Sequence, residues 1–201
     1  MMLSMREKIK KGMLFTDLTE GLPEERLRGK ELMYDYNHTR PSEENKRREL
    51  IAQMFGKIGR NAWIEPPISF SYGKNIYIGD NFYANFNLTI VDDYTVTIGN
   101  NVMVAPNVTI SVTGHPVHFS LRMQGEMFSF PVTIGNNVWI GSQIVINPGV
   151  TIGDNSVIGA GSVVTKDIPP DVVAAGVPCR VLRKITQRDK EYYYRDLKIG
   201  P

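Results

Sequence analysis

The chain carries 23 Lys and Arg against 21 Asp and Glu in 201 residues, a net charge of +2. That balance supplies no global field for nucleic acid. The single cysteine, Cys179, excludes an internal disulfide or a multi-cysteine metal site and fits a reducing compartment. With no apolar run of about 18 residues and no charged-then-apolar leader, the expectation is a cytoplasmic protein with no membrane partner.

Residues 1–60 are charged, rich in Leu and Met, and broken at Gly12, Gly21, Pro23 and Pro41. Three short helices fit: Ser4 to Lys11, Pro23 toward His38, and a third capped by Ser42 and running to Met54, with Leu50, Ile51 and Met54 on one face. The link at residues 15–23 is turn-rich, and Asp17 within it suits a local cap. Residues 61–77 (AWIEPPISFSYGKNIYI) read as an irregular first turn of the repeat that follows.

From Ile78 to about Pro169 an aliphatic residue recurs at every sixth position. The units begin at Ile78, Ala84 and Ile90, slip by two residues, and resume at Ile98, Val104 and Ile110; a second series runs through Ile134, Ile140, Ile146, Ile152, Ile158 and Val164. The next residue is Gly in half the units, and Val102, Val108, Val138, Ile144 and Val150 add a second apolar position. Six residues are too few for a strand plus a crossover helix, so each unit is one short strand and a bend. Stacked units then bury a ladder of Ile and Val, which makes the fold mainly β and a solenoid. Gly135 with Asn136 and Gly153 with Asp154 suit bends of positive φ. The helices of residues 1–60 would cover the open end of the coil and shield its edge.

The repeat fails over residues 113–131 (TGHPVHFSLRMQGEMFSFP), which read as a loop expelled from the coil. Long excursions from a rigid scaffold tend to carry function. An extended exit segment runs to residue 185, and residues 186–201 form a charged, Tyr-rich tail. The organisation is therefore a helical segment (1–60), a solenoid (61–185) bearing the loop, and the tail.

Of His38, His115 and His118, only His115 sits at the root of the loop, and histidine is the natural general base near neutral pH. His115 and His118 also have the spacing of a metal pair, but no third ligand is evident. No Ser, Cys or Asp stands in a nucleophile motif, which favours direct transfer over a covalent enzyme intermediate.

The hexads, the loop text TGHPVHF and the exit AAGVPCRV resemble the hexapeptide-repeat acyltransferases. FSYGKNIYIGDNFYANFNLTIVDDYTVTIG, SVTGHPVH, INPGVTIGDNSVIGAGSVVTKDIPP and the N-terminal GLPEERLRGKELMYDYNHTRPSE narrow the likeness to the sugar O-acetyltransferases, the galactoside branch before the maltose branch. The resemblance implies a left-handed parallel β-helix, against the usual right-handed crossover preference. It also implies a homotrimer in which acetyl-CoA and a sugar meet between adjacent subunits, with no metal required.

Matched by position, His115 would take the proton from the sugar's 6-hydroxyl, and Ser142 in the IGSQ turn would offer a backbone N–H to the oxyanion. Asp17, Ser71, Asn85 and Asp93 would bind the acceptor, with Met127 as an apolar wall, and Glu126 is a candidate to orient His115. Trp139, Ser142, Ala160, Thr165, Lys166, Arg180 and Arg183 would bind acetyl-CoA, the cations taking its phosphates. Plainer roles stand beside these: an asparagine ladder for Asn85, a solvated bend for Asp92 and Asp93, subunit packing for Trp139, and an exposed cationic strand for the arginines. Maltose, glucose or another hydroxylated acceptor is the alternative substrate. A silent scaffold is the alternative class, and it would have lost His115.

Overall fold

A computed structural model describes residues 3–200 of the protein. It opens with three helices, α1 (Met5–Lys10), α2 (Leu22–Asn37) and α3 (Glu44–Met54). Ser4 and Glu7 cap the start of α1 reciprocally, each side chain accepting the other's backbone N–H (3.2 and 2.8 Å). Two expectations are corrected here. The cap position of α3 is Glu43 rather than Ser42, because the Glu43 carboxylate folds back onto the Arg40 N–H (2.7 Å) and closes the preceding turn. Asp17 caps no helix: α2 starts from a left-handed Gly21 without a side-chain cap, and the Asp17 carboxylate pairs with Arg26 inside α2.

The rest of the chain winds through three parallel sheets around a common core. The first sheet stacks Trp63–Ile64, Tyr83–Ala84, Met103–Val104, Trp139–Ile140, Val157–Ile158 and Val172–Ala175. The second stacks Ile68–Phe70, Leu88–Val91, Thr109–Ser111, Val145–Ile146 and Val163–Val164; the third stacks Ile76–Ile78, Val96–Ile98, Val132–Ile134 and Thr151–Ile152. Every aliphatic position of the six-residue ladder is buried, as are Val102, Val108, Val138, Ile144 and Val150. Residues 61–77 are no irregular lead-in: Trp63, Ile68 and Ile76 pair in register with Tyr83, Leu88 and Val96, so the coil has a complete turn before the first legible hexad.

Two kinds of bend residue do different work. Gly79, Gly99, Gly135 and Gly153 keep negative φ; a methyl at Gly135 would stand 2.2 Å from Asp154 Oδ1, so glycine is required there by the next turn's proximity and not by conformation. Positive φ falls instead on Asn61, Asn81, Asn101, Asn137, Asn155 and Asp171, and asparagine tolerates the left-handed region better than other side chains. Their side chains form a ladder, each amide donating to the next rung at 2.8–3.1 Å.

Helix α2 closes the open ends of the first and second sheets. Asn37 both donates to the Ile68 carbonyl (2.8 Å) and accepts the Ile68 N–H (2.9 Å), the Tyr36 hydroxyl donates to the Ile64 carbonyl, and the Phe70 N–H meets Met33 Sδ. The edge that would otherwise template association is thus satisfied by side chains. The expelled loop is a narrow hairpin, Thr113–Gly114 with Phe128–Ser129, whose tip carries one turn of helix, α4 (Phe119–Arg122). At the far end, Arg180–Lys184 returns antiparallel to Val172–Ala175, followed by α5 (Arg188–Glu191) and a hairpin of Tyr192–Tyr194 with Leu197–Lys198.

Candidate active site

The two-residue slip in the repeat locates the site. Ladder residues are eight apart across the corner between the second and third sheets in the early turns, as in Ile90 to Ile98, and six apart later, as in Ile146 to Ile152. The corner with the surplus residues holds Ser71, Asp92 and Asp93 in successive turns, then the whole loop with His115, then Thr165 and Lys166.

His115 is exposed, and its Nδ1 lies 3.0 Å from the Glu126 backbone carbonyl. A carbonyl only accepts, so Nδ1 carries the proton and the lone pair is left on Nε2. Glu126 therefore orients His115 through its main chain, not its carboxylate, whose Oε2 is buried without a hydrogen-bond partner among the described residues. The loop is in turn tied to the N-terminal segment: Phe15 and Met127 exchange backbone hydrogen bonds (3.0 and 2.9 Å), and their side chains cluster with Ile9. Met127 is packed there rather than lining open space. The same tie brings Thr16 and Leu18 against Gly125, which sets Asp17 beside the His115 loop.

Asp92 and Asp93 form no solvated bend; both are buried. Asp92 Oδ1 accepts the Ser71 and Tyr72 N–H groups (2.9 and 2.8 Å), which fixes the wider corner, while its Oδ2 is buried without a partner among the described residues. Burial pushes the Asp92 carboxyl up to about 7, against the lowering effect of those N–H groups. Asp93 accepts from Thr113 Oγ1 (2.6 Å), and Thr113 is shared with Ser129 Oγ (2.8 Å). Sequence reasoning missed Thr113, Ser129, Tyr72 and Arg26; the first two flank the loop, which is the one signal that pointed to them. His118 is no metal partner of His115: its Nδ1 meets Ser120 Oγ (2.7 Å) and caps α4. Among the described residues no group of three or more His, Cys, Asp or Glu is placed to hold a metal, and no helix is long and apolar enough to cross a membrane.

The remaining candidates lie elsewhere on the coil. Asn85, Ser142 and Ala160 occupy the corner between the first and second sheets. Asn85 is outside the asparagine ladder; its Oδ1 accepts the Phe86 N–H (2.9 Å). The Ser142 N–H donates to no protein group among the described residues, although its carbonyl accepts from Gly161 (2.8 Å). Trp139 stands 51% exposed on the first sheet, and Trp139, Val157, Val173 and Arg183 share one row across it. Arg183 is gripped by Asp189 at two nitrogens (2.9 and 2.7 Å), and Arg180 donates to the Cys179 carbonyl (2.8 Å). Cys179 is buried, and burial pushes its thiol up, consistent with an inert small side chain. The chain thus brings Asp17, Ser71, Asp93, His115, Thr165 and Lys166 to one corner and holds Asn85, Trp139, Ser142 and Ala160 away from it.

Residues 8–59 match the family model of the maltose acetyltransferase hexapeptide capping motif, and residues 131–166 match the six-repeat bacterial transferase hexapeptide model. The galactoside O-acetyltransferase of Escherichia coli K12 is 72% identical over 99% of this chain and 98% of its own length. That of Lactococcus lactis is 48% identical over 84% of this chain and 82% of its own. A solved galactoside acetyltransferase in complex with coenzyme A superposes with a TM-score of 0.98 at 72% identity, covering 99% of this chain and 100% of that one. A maltose O-acetyltransferase from Clostridium difficile 630 superposes with a TM-score of 0.89 at 46% identity, over 92% and 99%.

Proposed function

Since the chain belongs to the hexapeptide-repeat sugar acetyltransferases and is an acetyl-CoA-dependent enzyme of that family, we propose that it acetylates the 6-hydroxyl of galactosides by direct transfer, with His115 as general base. The observation that carries this reading is the His115 Nδ1 to Glu126 carbonyl bond, which leaves the Nε2 lone pair for a substrate proton. His115 Nε2 takes the proton of the hydroxyl as its oxygen bonds to the thioester carbonyl carbon. The Ser142 N–H stabilises the oxyanion, the C–S bond breaks, and His115 returns the proton to the departing thiolate. Each of the two groups is worth on the order of 10²-fold or more.

The same geometry supports an assembly of several copies. His115 and Ser142 sit on different corners of one chain, so a reaction centre needs the Ser142 corner of a second copy against the His115 corner of the first. A closed ring of copies satisfies every corner, and three is the number the resemblance implies. Acetyl-CoA is made inside the cell, and the cytoplasm is the compartment this reading assigns.

A second acceptor class has its own support: the capping-motif match and the maltose O-acetyltransferase superposition point to maltose, and glucose is tested beside it. CoA thiol release with a galactoside, a thiogalactoside, glucose, maltose and no sugar separates the two. Higher kcat/KM with the galactosides is expected. Preference for glucose or maltose would move the acceptor and keep the chemistry, and silence with every sugar would overturn the sugar reading.

A further inference from the structure

The foot of the loop carries a bonded chain of side chains that the reaction described above leaves unused. Val91 and Ser111 pair in the second sheet, so Asp93 and Thr113, each two residues further on, stand one turn of the coil apart at the same corner. Thr113 Oγ1 donates to Asp93 Oδ2 (2.6 Å). Ser129 lies directly opposite Thr113 in the hairpin, and its hydroxyl oxygen is 2.8 Å from Thr113 Oγ1. A threonine hydroxyl has a single proton, and the carboxylate takes it, so Ser129 is the donor to Thr113. The bonds therefore run one way, from Ser129 through Thr113 to Asp93.

The chain is held from behind and open in front. Ser129 is buried. Ser111 Oγ donates to the Thr113 carbonyl (2.9 Å) and accepts the Thr113 N–H (3.3 Å), which fixes the backbone where it leaves the sheet. Asp93 keeps 5% of its surface exposed. Its Oδ1 accepts from no protein group among the described residues, and it is not sealed in as Asp92 Oδ2 is. One oxygen of Asp93 is thus tied to the loop and the other is free at the corner. A carboxylate oxygen held in a fixed direction suits a hydroxyl donor.

The same hairpin carries the base. His115 lies two residues after Thr113, and Glu126, whose carbonyl accepts from the His115 ring, lies three before Ser129. A hydroxylated molecule held at Asp93 Oδ1 is placed relative to His115 Nε2 through this one frame. On the basis of the acetyltransferase reading above, we propose that Thr113, backed by Ser129, is a positioning residue that sets the acceptor held by Asp93 against the general base. Closing the hairpin alone needs only side chains that pack across it; a hydroxyl is required at position 113 because a carboxylate oxygen stands over it.

Thr113→Val keeps the shape and the β-branching and removes the donor, whereas Thr113→Ser keeps the hydroxyl. Both are compared with wild type by thiol release from acetyl-CoA with a galactoside. Thr113→Val is expected to raise KM for the galactoside about tenfold, the effect of loosening one charge-assisted bond. Its kcat should fall about tenfold, because the hydroxyl is no longer held in line with His115, while KM for acetyl-CoA stays unchanged. Thr113→Ser should recover both constants. Unaltered galactoside constants in Thr113→Val, an equal rise in KM for both substrates as a loosened fold would give, or a Thr113→Ser enzyme as poor as Thr113→Val would each overturn the proposal. Should Thr113→Val not fold, Ser129→Ala removes the donor one bond further back; it should show the same split at a smaller size, and its absence there would count equally against the proposal. A crystal structure of Thr113→Val gives a readout without any sugar: Asp93 Oδ2 should turn away from the loop, and an unmoved carboxylate would overturn the positioning role. A wild-type enzyme idle with every sugar would strike the galactoside reading and leave that structure to decide the role of Thr113.

Discussion

Two corners of the same coil are built from the same backbone and put to opposite uses. At the corner between the third and first sheets, the Asn61 to Asp171 ladder pairs its amides turn after turn, and each left-handed residue repeats its neighbour. At the corner between the second and third sheets, the repeat is stretched by two residues and then by a loop. There the polar groups are unequal: His115, Thr165 and Lys166 are exposed while Asp92 and Asp93 are buried, and among the described residues Asp92 Oδ2 and Glu126 Oε2 have no partner. Regular bonding stabilises a solenoid; the departures from it mark where the molecule holds reactive groups instead.

The largest effect should come from the irregular corner. His115→Ala is expected to lower kcat by 10²-fold or more while acetyl-CoA binding stays close to wild type, as measured by steady-state kinetics and calorimetry. An undiminished rate would remove the general base. The regular corner should respond in stability alone. Asn137→Ala loses two rungs (2.9 and 2.8 Å) and a tolerated left-handed residue, about 1–3 kcal/mol by denaturant unfolding. The activity of the folded fraction should be untouched, and a change in kcat would break the division between the corners.

The smallest effect concerns pH. Asp92 has its carboxyl raised from 3.8 to about 7, so its neutral form is the one the fold prefers. Its contribution to stability is therefore complete below about pH 4 and lost as pH rises through about 7, with a slope of at most about 1.4 kcal/mol per pH unit from this group. Asp93 and Tyr72 are the titratable neighbours, and Asp93 acts in the same direction on Asp92. In Asp92→Asn, whose amide oxygen still accepts from Ser71 and Tyr72, the stability profile should flatten between about pH 4 and 7. A variant with an unchanged slope would place the charge elsewhere.

The ladder was legible because it is local: one aliphatic position in six, repeated, announces both the strand and its inward face. The meaning of the glycines was not. Gly135 reads as a turn-former until Asp154, nineteen residues on, is seen 2.2 Å from where its methyl would be. Asp93 to Thr113, Thr113 to Ser129 and Phe15 to Met127 join residues 16 or more apart with no shared pattern, so only the fold reveals them. Asp92 and Asp93 are identical as text and both buried, and only their partners separate the residue that ties the corner from the one that faces the loop. The site residues themselves were named by resemblance, and the chain shows them divided between corners.

That division is tested most directly by mixing defects. His115→Ala chains and Ala160→Trp chains, the latter blocked at the donor corner, should each be inactive alone. Co-assembled in equal amounts, they should recover about a quarter of wild-type thiol release with a galactoside, because one pairing in four joins an intact His115 corner to an intact donor corner of its neighbour. Recovery at that level would place the reaction between chains; no recovery from assemblies shown to be mixed would put both halves of the site in one chain and contradict the account.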